Sequence, residues 1–113
     1  MADKESSQKS RERENKIQEM QILEQNLQNL LLQKQAFQME LSETRTAKRE
    51  IEKSHEDPFK MVGNLLIKTD KKALSEELSG KEKLLDLRVK SIEKQEIIFS
   101  GKLETLQKEI LKE

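Results

Sequence analysis

The chain has 113 residues, enough for one domain, and 39% of them are charged while 33% are hydrophobic. Leu, Ile, Val and Phe still supply about a quarter of the residues, and 22 basic side chains balance 22 acidic ones, so neither a single close-packed core nor global disorder is expected. The absence of cysteine excludes disulfides and thiolate chemistry, and no apolar run approaches the ~18–20 residues of a membrane span. Many Glu, Lys, Leu and Gln with almost no Gly or Pro predict long helices.

Residues 3–14 are polar throughout, and the first fourteen residues show neither apolar periodicity nor the apolar segment of a signal peptide. We therefore expect a disordered N-terminal extension over residues 1–14, an ordered domain over residues 15–113 and a cytoplasmic location. Zero net charge gives no general attraction to nucleic acid or to a membrane surface.

A three-and-four spacing of apolar residues predicts a first helix over residues 15–54 with a coiled-coil seam. Pro58 cannot continue that helix. The seam positions are Met20, Leu23, Leu27, Leu30, Lys34, Phe37, Leu41, Thr44, Lys48 and Ile51.

The same spacing returns in a second predicted helix over residues 71–113. Gly80 and Gly101 each disfavour a helix by ~1 kcal/mol relative to Ala, but both lie on the outward face, so the helix should continue through them. The seam positions here are Leu78, Glu82, Leu85, Val89, Ile92, Glu96, Phe99, Leu103, Leu106 and Ile110.

Two short apolar segments flank Gly63-Asn64 between the helices, and Gly followed by a polar residue is a two-residue hairpin signal. This predicts a β-hairpin over residues 58–69, with an irregular apolar loop as the alternative. If the chain folds back at Gly63, facing residues of an antiparallel coiled coil have numbers that sum to about 126. That register pairs Leu23 with Leu103, Leu27 with Phe99 and Leu41 with Leu85.

The predicted fold class is thus mainly α: a long antiparallel two-helix coiled coil with a central β-hairpin. Half of the paired layers contain a polar residue, and an isolated two-stranded hairpin is marginal in water. The hairpin should therefore be buried between subunits of an oligomer. The predicted interface residues are Phe59, Met61, Val62, Leu65, Leu66 and Ile67.

The segment FKMVGNLLIKTDKKALSEEL between two helices resembles the β-type subunit of the prefoldins, and the archaeal branch fits best. Further similar segments are Leu32-Gln33-Lys34-Gln35, Glu76-Glu77-Leu78 and Ile92-Glu93-Lys94-Gln95-Glu96. The resemblance covers about residues 15–113 and rests on a single hairpin between two matched arms.

This resemblance implies a hetero-hexamer of two α-type and four β-type subunits whose hairpins oligomerise into a β-barrel. It also implies a chaperone that holds unfolded client polypeptides between the arm tips without ATP, metal or other cofactor, and passes them to a group II chaperonin. Apolar residues off the seam, with the outermost seam positions, are the predicted client surface; the alternative is that they pack against a neighbouring arm or are simply exposed to water. That set is Ile17, Met20, Ile22, Leu23, Ile97, Ile98, Leu103, Leu106, Ile110 and Leu111.

Three other functions compete with this interpretation. His55-Glu56-Asp57 is the one cluster with catalytic or metal-binding residue types, and a solvated loop explains it better, so we expect no enzyme. The basic stretches carry interleaved Glu, which argues against nucleic-acid binding. A coiled-coil adaptor or tether remains the alternative, although it does not account for the apolar hairpin.

Overall fold

The computed structural model describes the backbone of residues 2–112 and the side chains of residues 4–112. Its elements are α1 (Ala2–Lys53), β1 (Phe59–Val62), β2 (Leu65–Lys68) and α2 (Lys71–Lys112). The strands pair antiparallel, so the predicted fold of two long helices joined by one β-hairpin is confirmed. Residue 1 of the predicted extension and residue 113 of the predicted second helix lie outside the described residues.

Helix α1 begins at Ala2 and not at residue 15, which corrects the expected start of the helix. The physical reason is local. No Gly or Pro interrupts residues 2–14, most of which are good helix formers. The sequence also places Glu5 four residues before Lys9, and Glu12 four before Lys16, an orientation that favours helix. Apolar periodicity was the wrong criterion here because a helix that packs against nothing does not need it.

The hairpin has the register that Gly63-Asn64 predicts. Val62 pairs with Leu65 across the two-residue loop, and Phe59 pairs with Lys68 at the other end. Gly63 has a φ of 60°, and it is the one described residue with positive φ. Positive φ at the first loop position alone is the mark of a type II′ turn, whose twist matches that of the strands. The irregular-loop alternative is therefore wrong.

The junction between helices and hairpin is held by main-chain and side-chain hydrogen bonds. The Lys71 Nζ donates to the carbonyl oxygens of Glu52 and Ser54 at 3.3 and 2.6 Å, and so satisfies two acceptors that the end of α1 leaves unpaired. Asp70 is the N-cap of α2, since its carboxylate accepts a hydrogen bond from the Ala73 amide at 3.1 Å. The Thr69 amide donates to the Pro58 carbonyl at 2.9 Å and closes the base of the hairpin.

The described residues form two compact units. The hairpin unit is Lys34–Ser91, and the terminal unit comprises the residues up to Gln33 together with those from Ile92 onward. Every one of the twenty predicted seam positions is buried or half-buried within its unit. The heptad interpretation of both helices is therefore confirmed.

In the hairpin unit the core is formed by Leu41, Leu74, Leu85 and Val89, of which Leu85 is the most deeply buried at 2% exposure. Thr44 is a buried polar seam residue, and its hydroxyl donates to the carbonyl of Glu40 one turn earlier at 2.8 Å. Leu74 was not predicted, because it lies one position off the seam at the start of α2.

Opposite charges align the two helices of this unit. The half-buried Glu82 carboxylate accepts contacts from Arg45 at 3.4 Å and Lys48 at 3.8 Å, both on α1. The predicted register places Glu82 opposite Thr44, directly beside Arg45. The Arg88 guanidinium lies 5.5 Å from the centre of the Phe37 ring, and the register pairs Phe37 with the next residue, Val89. The Arg45–Glu82 and Arg88–Phe37 contacts agree with the register to within one residue, and Lys48 reaches Glu82 from about one helical turn away.

In the terminal unit the buried apolar residues are Leu23, Leu30, Ile92 and Leu106. Lys16 of α1 reaches Glu109 of α2 at 3.8 Å, one residue from the partner that the register assigns to it. The same antiparallel pairing therefore applies in this unit.

Paired cysteines test the register in the terminal unit. Because the chain has no cysteine of its own, Leu23→Cys with Leu103→Cys should form one disulfide within a chain if the Cα atoms lie within ~7 Å. Non-reducing electrophoresis under dilute oxidation should show a faster-migrating monomer. The control pair, Ile22→Cys with Ile97→Cys, should not form that band. A disulfide found exclusively between chains would contradict the antiparallel pairing.

The turn is tested by Gly63→Ala. An added Cβ at Gly63 meets no atom within 4 Å, so the effect is conformational: positive φ costs an L-residue about 1–2 kcal/mol. We expect a lower thermal midpoint by circular dichroism. Gly80→Ala is the matched control, because its Cβ also meets open space but its helical backbone should be stabilised by about 1 kcal/mol. Equal shifts for the two variants would exclude the type II′ turn as the cause.

Candidate binding surfaces

The hairpin exposes all six predicted interface residues. Each of these side chains is at least about half exposed, and Met61 reaches 73%. Pairing partners share a face, so Phe59, Met61 and Leu66 lie on one face with Lys68, while Val62, Leu65 and Ile67 lie on the other with Lys60. Neither face can be covered by the hairpin itself.

The Lys60 ammonium contacts the Glu77 carboxylate of α2 at 2.6 Å. The pair links the base of the hairpin to the first turns of α2, and it occupies the polar corner of the Val62 face. The apolar part of that face stays open to a partner.

Both outer edges of the hairpin are unpaired. The sheet formed by the described residues has two strands, so each strand leaves one row of amide and carbonyl groups free. Exposed strand edges are templates for another strand. Two apolar faces with two open edges are what a strand-exchanging or barrel-forming assembly requires.

The predicted client residues all lie in the terminal unit, where they fall into two groups. Those off the seam are exposed, with Ile97 at 73% and Leu111 at 85%. The seam members are shielded: Leu23 and Leu106 are buried at 7% and 8%, and Met20, Leu103 and Ile110 are half-buried.

These exposed residues do not form one continuous groove. Ile97 and Leu111 are separated by fourteen positions of α2, or about 21 Å along the helix. The Lys16–Glu109 contact places Ile17 at the level of Lys108 and Glu109, within one turn of Ile110 and Leu111, so α1 contributes at that end. The terminal unit thus offers separate small apolar patches that can contact a partner at several points.

Three exposed apolar residues of the hairpin unit were missed by the sequence analysis. They are Met39 on α1 and Leu84 and Leu87 on α2, and they lie off the seam. The available signal was their helical spacing of three between Leu84 and Leu87, which places both on one outward face.

The loop cluster His55-Glu56-Asp57 is exposed. Within residues 2–112, no group of three or more His, Cys, Asp or Glu side chains is arranged to hold a metal ion. In the same part of the chain, no helix has the length and apolar character needed to cross a bilayer.

The comparisons with known proteins decide the family. The family model described as prefoldin subunit matches residues 14–113. The chain belongs to the prefoldin family. Prefoldins are chaperones and not a class of enzyme, so the expectation of a non-enzymatic protein is confirmed at the level of the family.

Prefoldin beta subunits are among its relatives. The chain is 43% identical to the subunit of Pyrobaculum calidifontis over 89 residues, which cover 77% of this chain and 71% of the relative. It is 42% identical to that of Thermococcus onnurineus, with 77% of each chain covered. The crystal structure of the prefoldin beta subunit from Thermococcus strain KS-1 superposes with a TM-score of 0.80 at 34% identity, covering 88% and 89% of the two chains. The resemblance to an archaeal-like β-type prefoldin subunit is confirmed.

Leu65→Asp tests the hairpin as the assembly surface. A charge placed in a buried apolar interface costs several kcal/mol, so the variant should not assemble when mixed with an α-type prefoldin subunit. Size-exclusion chromatography with light scattering measures the loss of the complex. Leu32→Asp is the matched control, because Leu32 is exposed to 62% and Leu65 to 67% but Leu32 lies on α1. An unchanged complex with Leu65→Asp would contradict the interface.

Proposed function

We propose that this prefoldin acts in the cytoplasm as the β-type subunit of a hetero-hexamer that binds unfolded polypeptides without ATP and delivers them to a group II chaperonin. The hairpin is the main support for this assembly, because it exposes six apolar side chains on two faces and leaves two strand edges free. Hairpins of other β-type copies and of α-type subunits cover those faces and edges in a β-barrel.

The arms provide the client surface. Helices that pack along one seam need no further apolar residues, yet Ile22, Ile97 and Ile98 are all more than half exposed. Unfolded polypeptides present apolar side chains in no fixed arrangement, and several small patches suit such a ligand better than one shaped pocket. Binding to exposed patches requires no chemical energy, which fits an ATP-independent holdase.

The shielded members of the predicted set contribute when the seam opens. Leu23 and Leu106 contact a client after local separation of the helices near their ends, where coiled coils open most readily. Met20 suits this role because its flexible side chain adapts to varied neighbours.

A coiled-coil adaptor is the second candidate function. The same two helices could join two other proteins, but a tether gains nothing from six exposed apolar residues in a hairpin. Mixing with an α-type subunit separates the two functions, since a tether would not form a hexamer-sized complex.

A triple change, Ile22→Gln with Ile97→Gln and Ile98→Gln, tests the client surface. Gln retains helix propensity and the seam is untouched, so helicity and complex mass should persist. Burial of even one Ile against the client contributes about 1.5–3 kcal/mol, so at least about tenfold more complex should be needed to suppress the aggregation of a chemically unfolded client. Light scattering of the client measures this amount.

The matched control replaces three similarly exposed residues of the hairpin unit, Met39, Leu84 and Leu87, by Gln. It should suppress aggregation as well as the unaltered chain does. If the first triple variant retains full activity, the client surface lies elsewhere. If both triple variants lose activity equally, exposed apolar area in general, and not the terminal unit, carries the binding.

A further inference from the structure

The outward face of α2 in the hairpin unit carries an apolar stripe that is exposed in the isolated chain. We propose that this stripe docks an acidic amphipathic helix of another protein. The outer stripe consists of Gly80, Leu84, Leu87 and Ser91, which are spaced by three or four residues and so lie on one side of the helix. Leu84 is 49% exposed and Leu87 is 64% exposed, so the chain does not use them for its own packing.

Basic side chains border the outer stripe on both sides. Lys81 and Arg88 follow one border, while Lys83 and Lys90 follow the other, and all four are exposed. The stripe and its borders run for about 16 Å, or three helical turns. An apolar centre between two basic rows is complementary to a helix that has Leu or Ile along one side and Asp or Glu on either side of them.

Acidic residues neutralise part of the outward charge through exposed ion pairs, since Glu40 of α1 contacts Lys81 at 3.1 Å. Glu82 lies on the opposite side of α2 and contacts Arg45 and Lys48 of α1. Asp86 is half-buried and contacts Lys90, at 2.9 Å, one turn away. Exposed ion pairs such as Lys90–Asp86 contribute little and exchange readily for another acid. Lys83 has no acidic partner among the described residues, and Arg88 contacts the Phe37 ring.

Gly80 extends the outer stripe, although the packing of the isolated chain does not require a glycine at this position. A glycine inside a helix costs about 1 kcal/mol relative to Ala, and a Cβ at Gly80 would meet no atom within 4 Å. The missing side chain allows a docked helix to approach the α2 backbone beside Leu84.

A protein partner fits this surface better than a lipid or nucleic-acid partner. A membrane-bound helix gains most from a broad apolar face with aromatic residues, and the outer stripe has two Leu and no aromatic residue. Nucleic acid would use the basic rows but would leave the two Leu exposed. A second copy of this chain offers no matching face on α1, because the acidic residues beside the exposed Met39, Glu40 and Glu43, lie on one side of it alone and Glu40 already contacts Lys81.

The test measures binding of a labelled synthetic helical peptide of about sixteen residues, with Leu at three-and-four spacing between rows of Glu. Fluorescence anisotropy should show salt-sensitive binding to the full chain, both alone and assembled with an α-type subunit. A peptide with Lys in place of Glu should not bind. Leu84→Gln with Leu87→Gln should weaken binding about tenfold, as expected for two exposed Leu that become buried.

Two further variants test separately whether peptide binding needs the basic side chains and whether it uses the proposed client surface. Lys83→Glu with Arg88→Glu should also weaken binding of the Glu peptide. Ile97→Gln with Ile98→Gln, which alters the proposed client surface, should leave it unchanged. Circular dichroism establishes that each variant keeps its helicity.

Four results would overturn the proposal. The first is equal binding of the Glu and Lys peptides, and the second is equal binding by the Leu84/Leu87 variant and the unaltered chain. The third is tighter binding to vesicles of anionic phosphatidylglycerol than to the Glu peptide, which would assign the stripe to a membrane. The fourth is concentration-dependent self-association that the Leu84/Leu87 variant abolishes, which would assign it to a second copy.

Discussion

Two helices can shield from water only the stripe along which they touch, and this limit shapes the whole chain. Within each unit the buried residues all belong to, or adjoin, the seam between α1 and α2. Every other apolar side chain stays exposed unless another molecule covers it. The exposed apolar residues are therefore the informative ones, because burial inside the chain is not available to them.

Polar residues in the seam lower the stability of the coiled coil, but they fix the alignment of its two helices. Replacing Glu82 by Leu would extend the apolar core, but Glu82 joins Arg45 and Lys48 across the two helices, and these contacts exist in one register alone. Thr44 fits the same layer because its hydroxyl is satisfied by its own helix. Heptad repeats by themselves allow a shift of one heptad, so charged seam positions and the fixed turn at Gly63 together select the pairing.

Much of this architecture could be predicted from the sequence, because the deciding signals are local. Heptad spacing identified the seam, and Gly63-Asn64 fixed the hairpin and its register. The start of α1 could not be predicted from apolar periodicity, since residues 2–14 form a helix by propensity alone. Leu74 was missed because it is buried although it lies one position off the repeat. Leu84 and Leu87 carry the signal of a three-residue spacing outside the seam, but that spacing alone does not distinguish a binding surface from ordinary exposed leucines.

The hydrogen bonds of Lys71 have a consequence for how the chain folds. They join positions 17 and 19 residues apart, so the first contacts between the helices close a short loop. Closing a short loop costs less chain entropy than joining the two termini directly. We therefore expect helix pairing in the hairpin unit to start at this junction. During synthesis, the seam of α1 stays unshielded until α2 has emerged, so for that interval the nascent subunit is itself an unfolded polypeptide with exposed leucines.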